Sequence, residues 1–187
     1  MRILKFSGAM IVSVAMAACA QPPSDQREFA HVQWLPAIKA IIQSGDLADH
    51  RSVATQLNLI LVAKEPVPVT DLDGKITGES IDVETVPPAK SFDNGKIRFR
   101  YGVYIPNDHS YRRAILIVRN IGLSECITVP DIYETFGYVR QTTYAHSANR
   151  TAGYHFKAAN TIDLYFTFAD EHTKCAEEVA IFQNRWK

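Results

Sequence analysis

The sequence predicts an α+β fold, with N-terminal helices packed on a largely antiparallel, meandering β-sheet and one disulfide. Three observations carry that expectation. Apolar residues recur at helical spacing between Trp34 and Leu57. From Lys96 onward they alternate with period two, the mark of half-buried strands. A short segment with helix start and stop signals, Cys126 to Gly137, interrupts the strand-rich half. The chain has 187 residues, enough for one domain with a sizeable core even after loss of a leader.

The first helical pattern is Phe29, Val32 and Trp34–Leu35, with Asp25 available to cap a helix that begins near Gln26. Pro36 does not fit inside such a helix. It is expected to open a second piece, Pro36 to Gln43, with Ile38, Ile41 and Ile42 on one face and Gly45 ending it. A helix from His50 to Leu57 follows, stopped by Asn58, and Leu59 to Ala63 is an apolar run of strand length. Lys64 to Asn94 is richer in proline and acid. Asp71-Leu72-Asp73-Gly74 invites a calcium reading, but an EF-hand loop needs glycine sixth and a carboxylate twelfth. With Gly74 sixth, Val69 falls first and Ser80 last, so the match fails at both ends. A polar turn at Asp73-Gly74 between two short edge strands is expected instead.

Ile97, Phe99, Tyr101, Val103 and Ile105 alternate with Lys96, Arg98, Arg100, Gly102 and Tyr104, giving a strand with one wet face. Tyr111 to Arg119 returns as a second strand. Its run Ala114 to Val118 is apolar on both faces, which predicts a central position. In the next helix Thr128 is the cap, Pro130 suits the first turn, Ile132 and Phe136 face the core, and Gly137 stops it. Strands are expected at Tyr138–His146, Tyr154–Ala159 and Thr161–Phe168. Cys175 to Trp186 closes the chain as a strand, with a helix over Ala176 to Phe182 as the alternative.

The first nineteen residues read as an export leader: Arg2 and Lys5, then an apolar run without further charge, then Ala17-Ala18-Cys19. The run is shorter than the roughly 20 apolar residues of a membrane span. Met16-Ala17-Ala18-Cys19 resembles the lipobox of bacterial lipoproteins. That resemblance implies cleavage after residue 18, a lipid on Cys19, a tether over 19–26 containing Pro22-Pro23, and a single periplasmic domain over 27–187. Ala20, in place of an aspartate, implies the outer membrane.

Removal of the leader leaves 18 basic against 20 acidic residues, a balance that offers no field for nucleic acid. With Cys19 lipidated, Cys126 and Cys175 are the remaining cysteines in an oxidising compartment and read as a structural disulfide; a redox pair and half of a metal site are the competing readings, and neither has the close spacing such sites use. No serine lies in Gly-x-Ser-x-Gly, and no two of the six histidines stand at i, i+4. His146 and His155 can approach across a hairpin, with His172 in a nearby loop. No cofactor, metal or catalytic set is expected.

The most suggestive surface is the wet face of the C-terminal strands. Arg140, Thr142, Tyr144 and His146 share one side of their strand, His155 and Lys157 of the next, Asp163 and Tyr165 of the third. Arg140, Tyr144, His155, Lys157 and Tyr165, with the hairpin tip at Asn149 and Arg150, are the candidate partner-binding residues, because tyrosine and arginine concentrate where proteins bind proteins. In size, anchor and topology the chain resembles periplasmic immunity lipoproteins that neutralise toxins, or accessory subunits of envelope machines. A non-enzymatic protein-binding module is therefore expected. The alternatives are a periplasmic hydrolase or metal-dependent enzyme and a structural envelope lipoprotein.

Overall fold

The computed structural model describes residues 32–86, 96–144, 151–158, 161–169 and 172–186. The leader, Cys19, the tether, His146, Asn149 and Arg150 lie outside these residues, as does the side chain of Tyr144.

The described residues open with two helices, α1 (Trp34–Ser44) and α2 (His50–Leu57). α1 starts two residues before Pro36, which occupies the first turn, where its missing N–H has no helical partner to lose. Gln33 supplies no side-chain cap. The Glu125 carboxylate, brought in from far along the chain, accepts from the Trp34 N–H at 2.5 Å instead. α1 buries Trp34, Ala37, Ile38, Ile41 and Ile42 and ends at Gly45, whose positive φ of 70° closes the last turn. Asp49 caps α2 through Arg51 N and Ser52 N, and Asn58 stops it in the left-handed region.

Among the described residues nine strands form a single antiparallel sheet: β1 (Leu61–Ala63), β2 (Val67–Thr70), β3 (Ile76–Thr85), β4 (Arg98–Pro106), β5 (Tyr111–Arg119), β6 (Arg140–Tyr144), β7 (Thr151–Lys157), β8 (Ile162–Phe168) and β9 (Glu178–Trp186). The turn at Asp73-Gly74 forms as expected, with Asp71 Oδ1 accepting from Asp73 N and Lys75 N. Of its two flanking strands, however, β3 is ten residues long and interior, pairing β1 and β2 on one side and β4 on the other. At Gly78 strands β3 and β4 come so close that a Cβ would lie 2.4 Å from the Ile105 carbonyl oxygen.

The strand order is β1-β3-β4-β5-β9-β8-β7-β6. Two meanders therefore meet where β5 pairs with β9, and the last strand is central. Helix α3 (Val129–Phe136) carries the chain from β5 to the far edge. Thr128 and Asp131 form a capping box at its start and Gly137 ends it. Cys126 and Cys175 form the disulfide, joining the segment before α3 to the segment before β9. The C-terminal segment is a strand, not a helix.

The alternation divides the sheet into two faces. Val83, Tyr101, Val103, Leu116, Val118, Leu164, Phe166, Val179 and Ile181 point into one core with Trp34, Ile41, Val53, Leu57 and Ile132 of the helices. Phe136 of α3 packs on Phe156 and Phe166, at 5.4 and 5.8 Å between ring centroids. The opposite face has no described element packed on it.

Candidate functional site

Register fixes which side chains share the uncovered face. One row across six strands reads Arg140, His155, Tyr165, Ala180, Ile117, Arg100. A parallel row reads Lys157, Asp163, Phe182, Ile115, Gly102, Asp82. A third, on the other flank, reads Thr142, Gly153, Thr167, Glu178, Arg119, Arg98. The alternation that puts the core on one face puts these residues together on the other.

The centre of the face is aromatic and aliphatic. The His155 ring lies flat on the Tyr165 ring, centroids 4.4 Å apart and planes 5° from parallel. Phe182 meets Tyr165 edge-on at 5.6 Å. Ile115 and Ile117 continue the apolar floor onto β5, both half-buried. Between these large side chains the small residues Gly153 and Ala180 make the floor low. A cleft of about 630 Å³ results, lined by Asp163, Tyr165, Thr167, Glu178, Ala180, Phe182 and Asn184. Such offset and edge-on ring contacts hold aromatic side chains in fixed positions, with about 0.5–1.5 kcal/mol per pair beyond their burial.

Charges ring that centre. His155 Nε2 and Asp163 Oδ1 are 2.8 Å apart, with side chains 22 % and 27 % exposed, so the contact is largely screened from water. Arg119 Nε donates to Glu178 Oε2 at 2.5 Å. Arg113 lies over the Tyr111 ring, 5.0 Å from its centroid. The Arg98, Arg100, Arg113, Arg140 and Lys157 side chains are exposed.

Of the residues expected from sequence, Arg140, His155, Lys157 and Tyr165 lie on this face together. Tyr144 falls on it by backbone register, opposite Thr151. Asn149 and Arg150 lie outside the described residues. His155 engages Asp163 diagonally across β7 and β8. Among the described residues no group of three His, Cys, Asp or Glu side chains is placed to hold a metal ion, and no helix is long and apolar enough to cross a membrane. Sequence reasoning missed Phe182, Ala180, Ile115, Ile117 and Arg100. Phe182 and Ala180 come beside Tyr165 through the pairing of β8 with β9, and the pairing of β9 with β5, which brings Ile115, Ile117 and Arg100 to the same face, was not visible.

Comparison with known proteins returns no match: no family model, no curated protein and no solved structure is similar to this chain.

Proposed function

We propose that this chain is an envelope lipoprotein, held in the outer membrane by lipid on Cys19, whose periplasmic domain binds a protein partner through the uncovered sheet face. The observation that carries the reading is the stacked and edge-packed set His155, Tyr165 and Phe182 at the centre of a face that no described element covers. Rigid aromatic side chains on strands offer contact area at little entropic cost, the character of an interface anchor. The lipobox-like Met16-Ala17-Ala18-Cys19 supports the anchor, and the disulfide suits an oxidising compartment. A toxin-neutralising immunity protein and an accessory subunit of an envelope or secretion machine both fit this description.

Two experiments test it. Cys19→Ala should release the protein from the membrane fraction; unchanged attachment would remove the anchor from the reading. The wild type and the Tyr165→Ala, Phe182→Ala double variant, matched by circular dichroism, should differ in partner recovery from periplasm. Equal recovery would show this face to be solvated sheet.

One observation favours a second reading, a hydrolase: the His155–Asp163 contact at the rim of the cleft supplies an oriented imidazole of the kind general-base chemistry uses. Loss of a hydrolytic activity in His155→Ala, with partner recovery intact, would favour the enzyme.

A further inference from the structure

We infer that the partner of this face is an acidic protein surface that sets an apolar or aromatic side chain into the cleft beside the packed rings of Tyr165 and Phe182, with carboxylates reaching the cations around it. The inference rests on the protein-binding reading above and adds the chemistry of the partner. The chain as a whole carries 20 basic and 20 acidic residues, so nothing in its bulk charge favours an acidic partner. The face is different. Three of its carboxylates are already engaged: Glu178 with Arg119, Asp163 with His155, and Glu84 with Lys64 at 2.7 Å. Asp82 is then the one remaining acid opposite Arg98, Arg100, Arg113, Arg140 and Lys157, counted over the described residues of the face.

Placement sharpens the argument. Arg100 and Arg140 stand at the two ends of the row whose middle is Tyr165 and Ala180. Lys157 and Arg113 border the cleft on adjacent rows. A low apolar floor ringed by exposed cations has the plan of a protein interface, with its apolar centre and polar rim. Complementary rim charges set partner choice and the rate of encounter. An anionic lipid surface fits less well. It is flat, whereas the apolar groups here are sunk between the charged ends.

The test uses the full mature chain and a short synthetic peptide alternating glutamate with phenylalanine. The same peptide with lysine for glutamate is the control, followed by fluorescence anisotropy at low and high salt. The acidic peptide should bind and the lysine peptide should not. Binding should weaken about tenfold or more at high salt, where screening shortens to a few ångströms. Arg100→Glu with Arg140→Glu should weaken it at least as much, and Tyr165→Ala with Phe182→Ala by roughly thirtyfold.

Equal binding of both peptides, or indifference to salt and to the arginine reversals, would overturn the acidic-partner inference. If the reversals also leave recovery of the periplasmic partner unchanged while the aromatic variant abolishes it, the binding face stands and only the charge argument falls. If neither variant affects recovery, both fall. Stronger binding to phosphatidylglycerol vesicles than to the acidic peptide would reassign the face to lipid. Self-association abolished by the aromatic variant would reassign it to a second copy of the chain.

Discussion

Gln183 holds Leu47 from across the molecule. The Gln183 amide oxygen, on β9, accepts from the Leu47 N–H at 2.6 Å, and its amide nitrogen donates to the Gly45 carbonyl at 2.8 Å. Both sites are buried, with Gln183 2 % exposed and Leu47 fully enclosed. The loop between α1 and α2 cannot satisfy these backbone groups by itself, because a helix end leaves its last carbonyls without partners. A glutamine on the core face of a central strand is thus the tie between the helical layer and the sheet. Gln183→Leu strips both partners at once. Each buried orphan costs about 1–3 kcal/mol, so the variant should lose roughly 2–6 kcal/mol in urea unfolding. Asn184→Ala, one residue along on the opposite face, should stay within about 0.5 kcal/mol of wild type. Similar losses for the two variants would show that the tie is not what matters.

Tyr101 completes the clamp on Leu47. Its hydroxyl donates to the Leu47 carbonyl at 2.5 Å from β4. Burial holds the phenol well above its ordinary range, and the charges of Asp49 and Asp46 push the same way. A raised folded-state value means that the folded chain keeps its proton where the unfolded chain releases it. The contribution is complete below the ordinary tyrosine value of about 10 and is lost as pH rises beyond it. Urea midpoints should therefore fall from about pH 9 to pH 11 more in wild type than in Tyr101→Phe. At neutral pH the phenylalanine variant should be weaker by roughly 1–3 kcal/mol, because the Leu47 carbonyl is left unpaired. Parallel alkaline losses in both would assign the effect to other groups.

Much of this fold is readable from local signals, because those signals act within a few residues. Thr128 starts a helix and Gly45, Asn58 and Gly137 end helices through their own backbone or side-chain geometry, and each does so where the sequence places it. Period-two alternation assigns Arg140, His155, Lys157 and Tyr165 to one face without knowledge of their neighbours. What is not readable is partner choice across distance. Nothing local to Glu125 says that it will cap α1, and nothing local to Gln183 says that it will hold a loop 138 residues earlier. The pairing of β9 with β5 in place of β6 is of the same kind. The apolar run Ala114 to Val118 announces a strand with neighbours on both sides but not which neighbours. Part of the candidate site was hidden for that reason, since Ile115 and Ile117 join it only through that pairing.

The capping box of α3 makes a smaller, local prediction. Asp131 Oδ2 accepts from Thr128 N at 2.8 Å and from the Thr128 hydroxyl at 2.5 Å. Those two bonds, the hydroxyl one first, hold the Asp131 carboxyl below the usual aspartate range. A depressed value stabilises above the ordinary aspartate pKa of about 4 and is lost as pH falls through the folded-state value. Thr128→Ala should cost about 1 kcal/mol at neutral pH. Asp131→Asn should show a shallower loss of stability than wild type below about pH 4, read from thermal unfolding across an acid series. Equal acid slopes would leave the box without electrostatic weight.

The Cys126–Cys175 bond joins residues 49 apart in sequence. Its surroundings are already ordered by backbone hydrogen bonds: Ala176 N donates to the Ile127 carbonyl at 2.8 Å, and Ile121 N to the Glu177 carbonyl at 3.1 Å. Breaking the covalent link therefore leaves the folded geometry with its own supports, and the cost falls mainly on the unfolded chain, which regains the freedom of a long loop. On the chain-entropy model that freedom is worth about 4 kcal/mol. A domain of ordinary stability, about 5–15 kcal/mol, survives such a loss. The Cys126→Ser, Cys175→Ser double variant should thus keep the far-ultraviolet spectrum of the wild type at room temperature, while its urea midpoint falls by an amount equivalent to about 4 kcal/mol. An unfolded double variant at room temperature would mean that the bond shapes the native packing of the segments before α3 and β9, beyond its constraint on the unfolded chain. An unchanged midpoint would mean that the hydrogen bonds on either side already confine the loop.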